Sequence, residues 1–542
     1  MTPPHFGHSR RWAILGVLVL ALFGIAMDNT VLVIALPVLS RDLKADTSQL
    51  QWMIDAYTLV FAGLLLLTGA LSDRYGRRLM LVVGLAIFGV GSLLTALVAT
   101  SDQLIALRAF MGLGASCAMP PTLSIIADVF DADERPKAIA VWSGTSAMGI
   151  VAGPIIGGAL IEHFAWWSVF VVNAPVVAIG LIAVVAIVPE SRAPGHIPMD
   201  LFGAGLSVVA LTLLTYAIIE APGFGWSDVR ILGSIGVAVV LGAAFWVWER
   251  RIEHPMLDLD LFRNMRFTAA CLSVTLSFFA LNGALFLITL YLQQVRQLSP
   301  LDTGYRFVAI AVGFVVMAPT SAWMTTRFGA RVTTSLGLAI VALGMGLVNT
   351  LGIESPDPQV VGILIVTAAG IALAMTPVTD AIMGAVPAEK FGVGSAVNDT
   401  TRELGGALGI AILGSIFQGA FADRMSPTVA ALPAPLAQYG SVVKGSFAGA
   451  AAVAAQMGDS GAVLIDAARH AFVDAQALTC TIGVFFAVAG VVVAVAFLPA
   501  RAAPGAAAGV AALTGDDDDG PDRRSGNGRS EAGGQTVRTP AS

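Results

Sequence analysis

The chain has 542 residues, 56% of them hydrophobic and 12% charged, with a formal net charge of −6. Soluble domains carry roughly 25% charged residues, so this composition excludes a soluble protein and indicates an all-α polytopic membrane protein. Part of the net charge is the acidic run 516–519 in a polar C-terminal stretch, so the balance says little about partners.

A spanning helix needs about 20 mainly apolar residues. Fourteen such stretches are predicted, at 12–37, 51–71, 79–100, 104–127, 138–161, 168–188, 201–220, 230–248, 267–292, 303–325, 332–351, 360–383, 393–418 and 474–498. They group as two six-helix bundles with two inserted helices between them. The expected organisation is an N-terminal tail (1–11), a first bundle (12–188), a linker with the two extra helices (189–266) and a second bundle (267–498). The second bundle includes an outer segment at about 422–470, either a loop or a surface-lying helical hairpin, and the tail 499–542 is too polar and Ala/Gly-rich to bury a core. The stretch 12–37 is too long for a signal-peptide core and lacks a convincing cleavage site, so it is expected to remain as the first span. With the N-terminus inside, inner segments hold sixteen Lys and Arg, whereas the short outer loops hold only Arg41, Lys44, Arg230 and Arg296. That bias places both termini in the cytoplasm.

Between the second and third spans lies a charged hairpin, Gly69-Ala70-Leu71-Ser72-Asp73-Arg74-Tyr75-Gly76-Arg77-Arg78. Gly69 and Gly76 permit a tight turn and close helix approach. A shorter echo, Arg327-Phe328-Gly329-Ala330-Arg331, follows 253 residues later between two further spans. Two related halves, each with a basic hairpin, are the build of a secondary transporter. For Asp73 two readings stand: a gating contact to an Arg of a neighbouring loop, made only when the cytoplasmic side is closed, or a topology signal with surface charge.

Acids inside spans need a reason, because a mid-membrane charge costs roughly 2.5–3.5 kcal/mol on insertion scales. Asp28 lies deep in the first span, and Arg108 in the fourth has the reach to meet it. Contact would hold Asp28 ionised and separation would favour its protonation, a proton switch; the alternative is a permanent salt bridge fixing two helices. In the thirteenth span, Asp399 and Arg402 are spaced to neutralise each other, which leaves Glu403 for a cationic substrate, a proton or a neighbouring helix. Asp55 is expected near the outer rim of the second span, either solvated or in contact with substrate. Asn282 is a cavity residue or a helix–helix hydrogen bond, and Asp128 and Asp380 read as structural or gating residues near inner ends. Gly149, Gly153 and Gly157 line one face of the fifth span, and Pro154 frees a carbonyl and bends it. Trp12, Trp52, Trp166, Trp167, Trp226 and Trp246 are expected as interfacial anchors.

The three cysteines, Cys117, Cys271 and Cys480, sit inside apolar stretches and imply neither a disulfide nor a metal site. None of the four lysines precedes Ser or Thr, so there is no Walker A loop, and uphill transport must draw on an ion gradient or a separate ATPase. The histidines are scattered and no catalytic constellation is visible, which disfavours an enzyme. No cofactor and no nucleic-acid partner is expected.

Several of these segments resemble the major facilitator superfamily, in particular its fourteen-helix drug:proton antiporter branch. The hairpin is similar to that family's loop 2–3 signature, and Asp28-Asn29-Thr30-Val31 with Ala35-Leu36-Pro37 to a first-helix element. Leu104, Arg108, Gly112, Gly114 and Ala115 resemble its proton-coupling arginine motif. Gly149-x-x-x-Gly153-Pro154-x-x-Gly157-Gly158 is similar to a signature that marks exporters, and the run from Arg402 to Gly409 also fits; Trp167 departs from the Arg common at its position. The span residues and the resemblance together lead to the expectation of proton coupling through Asp28, Arg108 and Glu403, substrate contact through Asp55, Asn282 and Glu403, and gating through Gly69, Asp73, Arg74, Gly76, Arg77, Gly149, Gly153, Pro154, Gly157 and Gly158. The resemblance implies a monomeric plasma-membrane pump that exchanges protons for lipophilic, cationic drugs or antibiotics. Two alternatives remain, an exporter dedicated to one self-made antibiotic or metabolite and, more remotely, a non-transporting membrane receptor. The excess of Arg (26) over Lys (4) points to a GC-rich bacterial source.

Overall fold

The structure is a computed structural model that describes residues 8–130, 135–192, 200–253, 255, 257, 259–384 and 391–498. Every described element is helical. The first six long helices are α1 (His8–Asp42), α2 (Thr47–Tyr75), α3 (Arg77–Leu94), α4 (Ser101–Val129), α5 (Arg135–His163) and α6 (Ser168–Ile187). The inserted pair is α7 (Leu201–Phe224) and α8 (Val229–Glu249). The second set is α9 (Met265–Leu290, extended by a π turn to Val295), α10 (300–328), α11 (330–348), α12 (Asp357–Gly384), α13 (Phe391–Ala430) and α14 (Gly461–Phe497). A helix thus lies at each expected span. Among the described residues twelve helices are long and apolar enough to cross a membrane, or thirteen with the bent pair Thr47–Leu65 and Leu67–Tyr75 taken as one. A count of fourteen spans is consistent with this.

The internal repeat is visible in backbone detail. Asp46 caps α2 and forms a reciprocal box with Gln49; 253 residues later Ser299 caps α10 by accepting the amide of Asp302. The residues two before these caps, Lys44 (φ 52°) and Gln297 (φ 55°), are the only described non-glycine residues with positive φ. At the other ends, Gly76 (φ 128°) and Gly329 (φ 85°) turn the chain within the two hairpins, a conformation an L side chain rarely adopts. Two residues beyond each glycine an arginine holds the carbonyl that ends its own half: Arg78 to Val188 at 3.3 Å, Arg331 to Leu498 at 2.8 Å. The hairpins therefore tie the last helix of each half to its middle.

In the first half α1 packs on α5 and α6, and α4 on α2 and α3; in the second, α9 packs on α13, α14 and α12. The halves meet along two seams, α2 with α13 and α5 with α10. At the second seam Gly158 and Gly304 let the backbones touch: a Cβ on Gly158 would stand 2.6 Å from Leu301 Cα. The α2 seam is also covered by α7, which packs on both α2 and α13, while α8 lies outermost and buries 11% of its span against 71% for α1.

Among the described residues, the hydrogen bonds joining the halves lie at the end opposite the Asp73 hairpin. Gln51 Nε2 donates to the carbonyls of Ile410 (2.9 Å) and Ala411 (3.1 Å), Gln293 Nε2 to Ile34 (2.9 Å), and Thr47 Oγ1 to Gly445 (3.1 Å). The apolar core agrees. At this far end it runs unbroken from Leu39 and Met53 to Phe286, Ile410 and Phe472. Toward the hairpin end, Phe267, Val274, Ile382 and Val397 form a separate cluster confined to the second half. Among the described residues the halves are bonded together at the far end, and at the hairpin end the second half keeps a core of its own.

Several expectations change. Helix α1 begins at His8, so Arg10 and Arg11 belong to it and not to the 1–11 tail, whose first seven residues lie outside the described residues, as does the tail 499–542. The 422–470 segment takes its helical form: α13 runs on to Ala430, α14 starts at Gly461, and Gly440–Gly445 and Phe447–Gln456 are short helices between them. Trp166 is 9% exposed and stacks edge-on against Phe170, so it is a core residue, not a belt anchor. Trp52 is likewise half-buried and engaged with α7.

Candidate functional site: a buried ion pair and an unpaired acid

Asp28 sits roughly 21 Å from the far end of α1, counted at 1.5 Å per residue. Gly149, Gly153 and Gly157 of α5 pack against α1 on either side of this level; a Cβ on Gly149 would stand 2.8 Å from Ala26 Cβ, and one on Gly157 3.1 Å from Val31. With no side chains in the seam the two backbones come together, and lipid and water are kept from the acid. Asp28 is 1% exposed and Arg108 is fully buried. Arg108 Nη1 donates to Asp28 Oδ2, its Nε donates to the Met53 carbonyl at 3.0 Å, and Asn173 Nδ2 donates to Asp28 Oδ1 at 3.0 Å. The guanidinium also lies 4.3 Å above the Tyr57 ring. Removing two charges from water costs several kcal/mol per ion. Both carboxylate oxygens and two arginine nitrogens are therefore matched, and four helices, α1, α2, α4 and α6, converge on the pair. Arg108 Nη2 and Asn173 Oδ1 remain buried without a hydrogen-bond partner among the described residues.

Asp55 lies about 12 Å into α2, on the face that carries Gln51 one turn earlier. It is fully buried, and neither carboxylate oxygen has a hydrogen-bond partner among the described residues. The solvated-rim reading of this residue is overturned. Sequence periodicity could not supply the reason: Gln51 pulls this face of α2 against α13, so a residue close to the membrane edge is walled in by the second half.

In α13, Asp399, Arg402 and Glu403 are all half-buried. Arg402 is 3.9 Å from Asp399, a long contact, and its guanidinium lies 5.6 Å from the Phe278 ring. Glu403 makes no ion pair or hydrogen bond among the described residues. Asn282 donates to its own helix at the Phe278 carbonyl (3.1 Å) and lies against Gly406 of α13, so it lines the α9–α13 contact without a hydrogen bond across it. Asp28 and Arg108 are brought together; among the described residues no hydrogen bond or ion pair joins Asp55, Asn282 and Glu403.

At the hairpin, Asp73 pairs with Arg77 of the same turn (2.9 Å), and Arg77 reaches Asp128 at the end of α4. The Asp73–Arg77 pair, at i and i+4, lies within the hairpin; the contact to a neighbouring loop is expected only when the cytoplasmic side is closed. Gly69 packs on Pro120 of α4, and Arg74 lies over its neighbour Tyr75. The backbone amides of Arg77 and Arg78 dock on Ser191 (2.9 Å) and Glu190 (3.1 Å). Asp380 is exposed. Sequence reading had not singled out Gln51, Gln293 or Glu220; a polar residue recurring at the ends of apolar spans was the available signal.

The Major Facilitator Superfamily model matches residues 18–410. The chain belongs to the major facilitator superfamily. It is 36% identical over 492 residues to the multidrug efflux pump LfrA of Mycolicibacterium smegmatis, covering 90% of this chain and 97% of that one. It is 33% identical to the methyl viologen resistance protein SmvA of Salmonella typhimurium (86% and 93% covered), and 31% identical to the tetracenomycin C resistance and export protein of Streptomyces glaucescens (81% and 84%). A bacterial homologue of the human lysosomal transporter Spinster shares the fold, with TM-score 0.66 at 18% identity over 92% of this chain and all of that one. As a member of this superfamily the chain is a multi-pass membrane transporter, and its two repeated helical halves are the superfamily's fold.

Proposed function

We propose that this chain is a proton-coupled efflux transporter that expels lipophilic cations across the bacterial plasma membrane, with the hairpin end and both termini in the cytoplasm. Relatives named for multidrug efflux and for resistance to methyl viologen and tetracenomycin C support the export reading. The observation that carries the cation and proton part is Asp55: a carboxylate fully buried in a spanning helix, with both oxygens unpartnered. A bare charge there is costly, so the site is occupied by a proton or by a positively charged passenger, and the two compete.

The rest of the cycle follows from the contacts around it. With the far end closed, Arg108 and Asn173 between them bond both oxygens of Asp28. Opening the far end pulls α2 from α13 and breaks the Gln51 hydrogen bonds one turn from Asp55. The same movement shifts the Met53 carbonyl that anchors Arg108, which loosens the ion pair and lets Asp28 take a proton. Glu403, half-buried on α13 with Arg402 beside it, offers a second acid to the passenger at the more open end. An inward proton supplies about 2.3 kcal/mol per 100 mV and about 1.4 kcal/mol per pH unit, enough for a substantial concentration gradient.

The test is ethidium transport into inverted membrane vesicles with and without a proton gradient, for wild type, Asp28→Asn, Asp55→Asn and Glu403→Gln. Gradient-driven accumulation by wild type, abolished in Asp28→Asn and Asp55→Asn, is expected. Accumulation without a gradient, or full activity in both Asp variants, would defeat the reading.

A further inference from the structure

The inserted helix α7 brings a third acid to α2. Glu220, one turn before the end of α7, accepts a hydrogen bond from Trp52 Nε1 at 3.1 Å, and Ser48 donates to the neighbouring Ile219 carbonyl at 3.2 Å. Tyr216 lies one turn earlier on the same face of α7, its ring 6.4 Å from that of Trp52. All three side chains are half-buried. Among the described residues no basic side chain pairs with Glu220; Arg230, just beyond the helix, is taken up by the Phe224 ring and Asp228. Trp52 is three residues from Asp55, about 4.5 Å along α2, yet it points to α7 while Gln51 and Asp55 share the face toward α13.

A partly exposed acid beside the Trp52 indole and one turn from the Tyr216 ring, with no basic side chain paired to it among the described residues, has the makings of an organic-cation site. Trp and Tyr attract a cation within about 6 Å of the ring centre, and a carboxylate at the membrane edge supplies the counter-charge. We propose that Trp52, Tyr216 and Glu220 form a peripheral binding site for a lipophilic cation at the far membrane face, outside the seam between the halves. It rests on the efflux reading, and deepens it by giving a cation leaving Asp55 a place on the inserted pair. The competing view is a purely structural peg between α2 and α7.

Glu220→Gln separates the two, because the amide oxygen still accepts the Trp52 hydrogen bond while the charge is gone. Equilibrium dialysis of tetraphenylphosphonium against the purified full chain is expected to show one bound equivalent lost, or at least tenfold weaker, in Glu220→Gln and Tyr216→Leu. Glu220→Asp should retain most of that binding, and Asp55→Asn should remove a different equivalent. In vesicles, Glu220→Gln is expected to slow tetraphenylphosphonium export severalfold and leave an uncharged lipophilic cargo unaffected. Unchanged dialysis in Glu220→Gln, or equal loss of charged and uncharged cargo, overturns the site. A wild type that binds the cation at Glu220 but exports none of the tested compounds sinks the efflux reading and leaves the site standing.

Discussion

The two halves carry their charges in opposite ways. In the first, Asp28 and Arg108 are sealed from solvent, and Asn173 and the Met53 carbonyl complete their hydrogen bonds. In the second, Asp399, Arg402 and Glu403 sit on one turn of a half-exposed helix face, with a single ion pair at 3.9 Å. A charge pair clamped by four helices responds to their relative motion, whereas a loose acidic face responds to what arrives in front of it. Under the proposed function, energy coupling falls to the first half and passenger contact to the second, with Asp55 one turn from the Gln51 bridge between them.

Removing one partner from a buried ion pair typically costs about 3–5 kcal/mol, so Arg108→Ala is expected to lower the thermal unfolding midpoint most and abolish transport. Arg108→Lys should not restore transport, since a single ammonium cannot bond Asp28 and Met53 in the fixed fork that a guanidinium offers. The two buried aspartates should then split in sign. Asp28→Asn leaves Arg108 without its counter-charge and is expected to destabilise, while Asp55→Asn relieves an unpaired acid and is expected to raise the unfolding midpoint, both without activity. Equal destabilisation by the two would erase the distinction between a matched and an unmatched acid.

Smaller effects probe the surrounding frame. Gly153→Ala drives a methyl into Thr30 in the α1–α5 seam and is expected to cost about 1–3 kcal/mol, the range for overpacking. Glu403→Gln, at a half-exposed position, should change stability by less than about 0.5 kcal/mol yet weaken cation export measurably in the vesicle assay. Arg77→Ala breaks surface-facing pairs worth at most about 1 kcal/mol; its expected signature is a raised passive leak of ethidium, not a lower midpoint.

Much of the fold was legible before any coordinates. Apolar runs marked the helices, and the spacing of the two hairpins announced a repeat that recurs at caps, positive-φ residues and terminal arginine contacts. Asp28 and Arg108 were paired by depth alone. Three things were hidden, all of them questions of which way a helix turns. Asp55 appeared close to the membrane edge, but α13 covers it through Gln51. Trp52 and Trp166 looked interfacial, but one meets α7 and the other the core. Asp73 found its partner inside its own hairpin because Gly76 bends the chain back on itself.

Sequence by itself determined the solvent this protein lives in, the number and order of its long apolar segments and the existence of two related halves, because those depend on composition and spacing along the chain. Only the tertiary structure decided which acids are neutralised and which are left bare. That outcome depends on helix rotation and on neighbours more than a hundred residues away, such as Asn173 for Asp28 and Ile410 for the turn that holds Asp55.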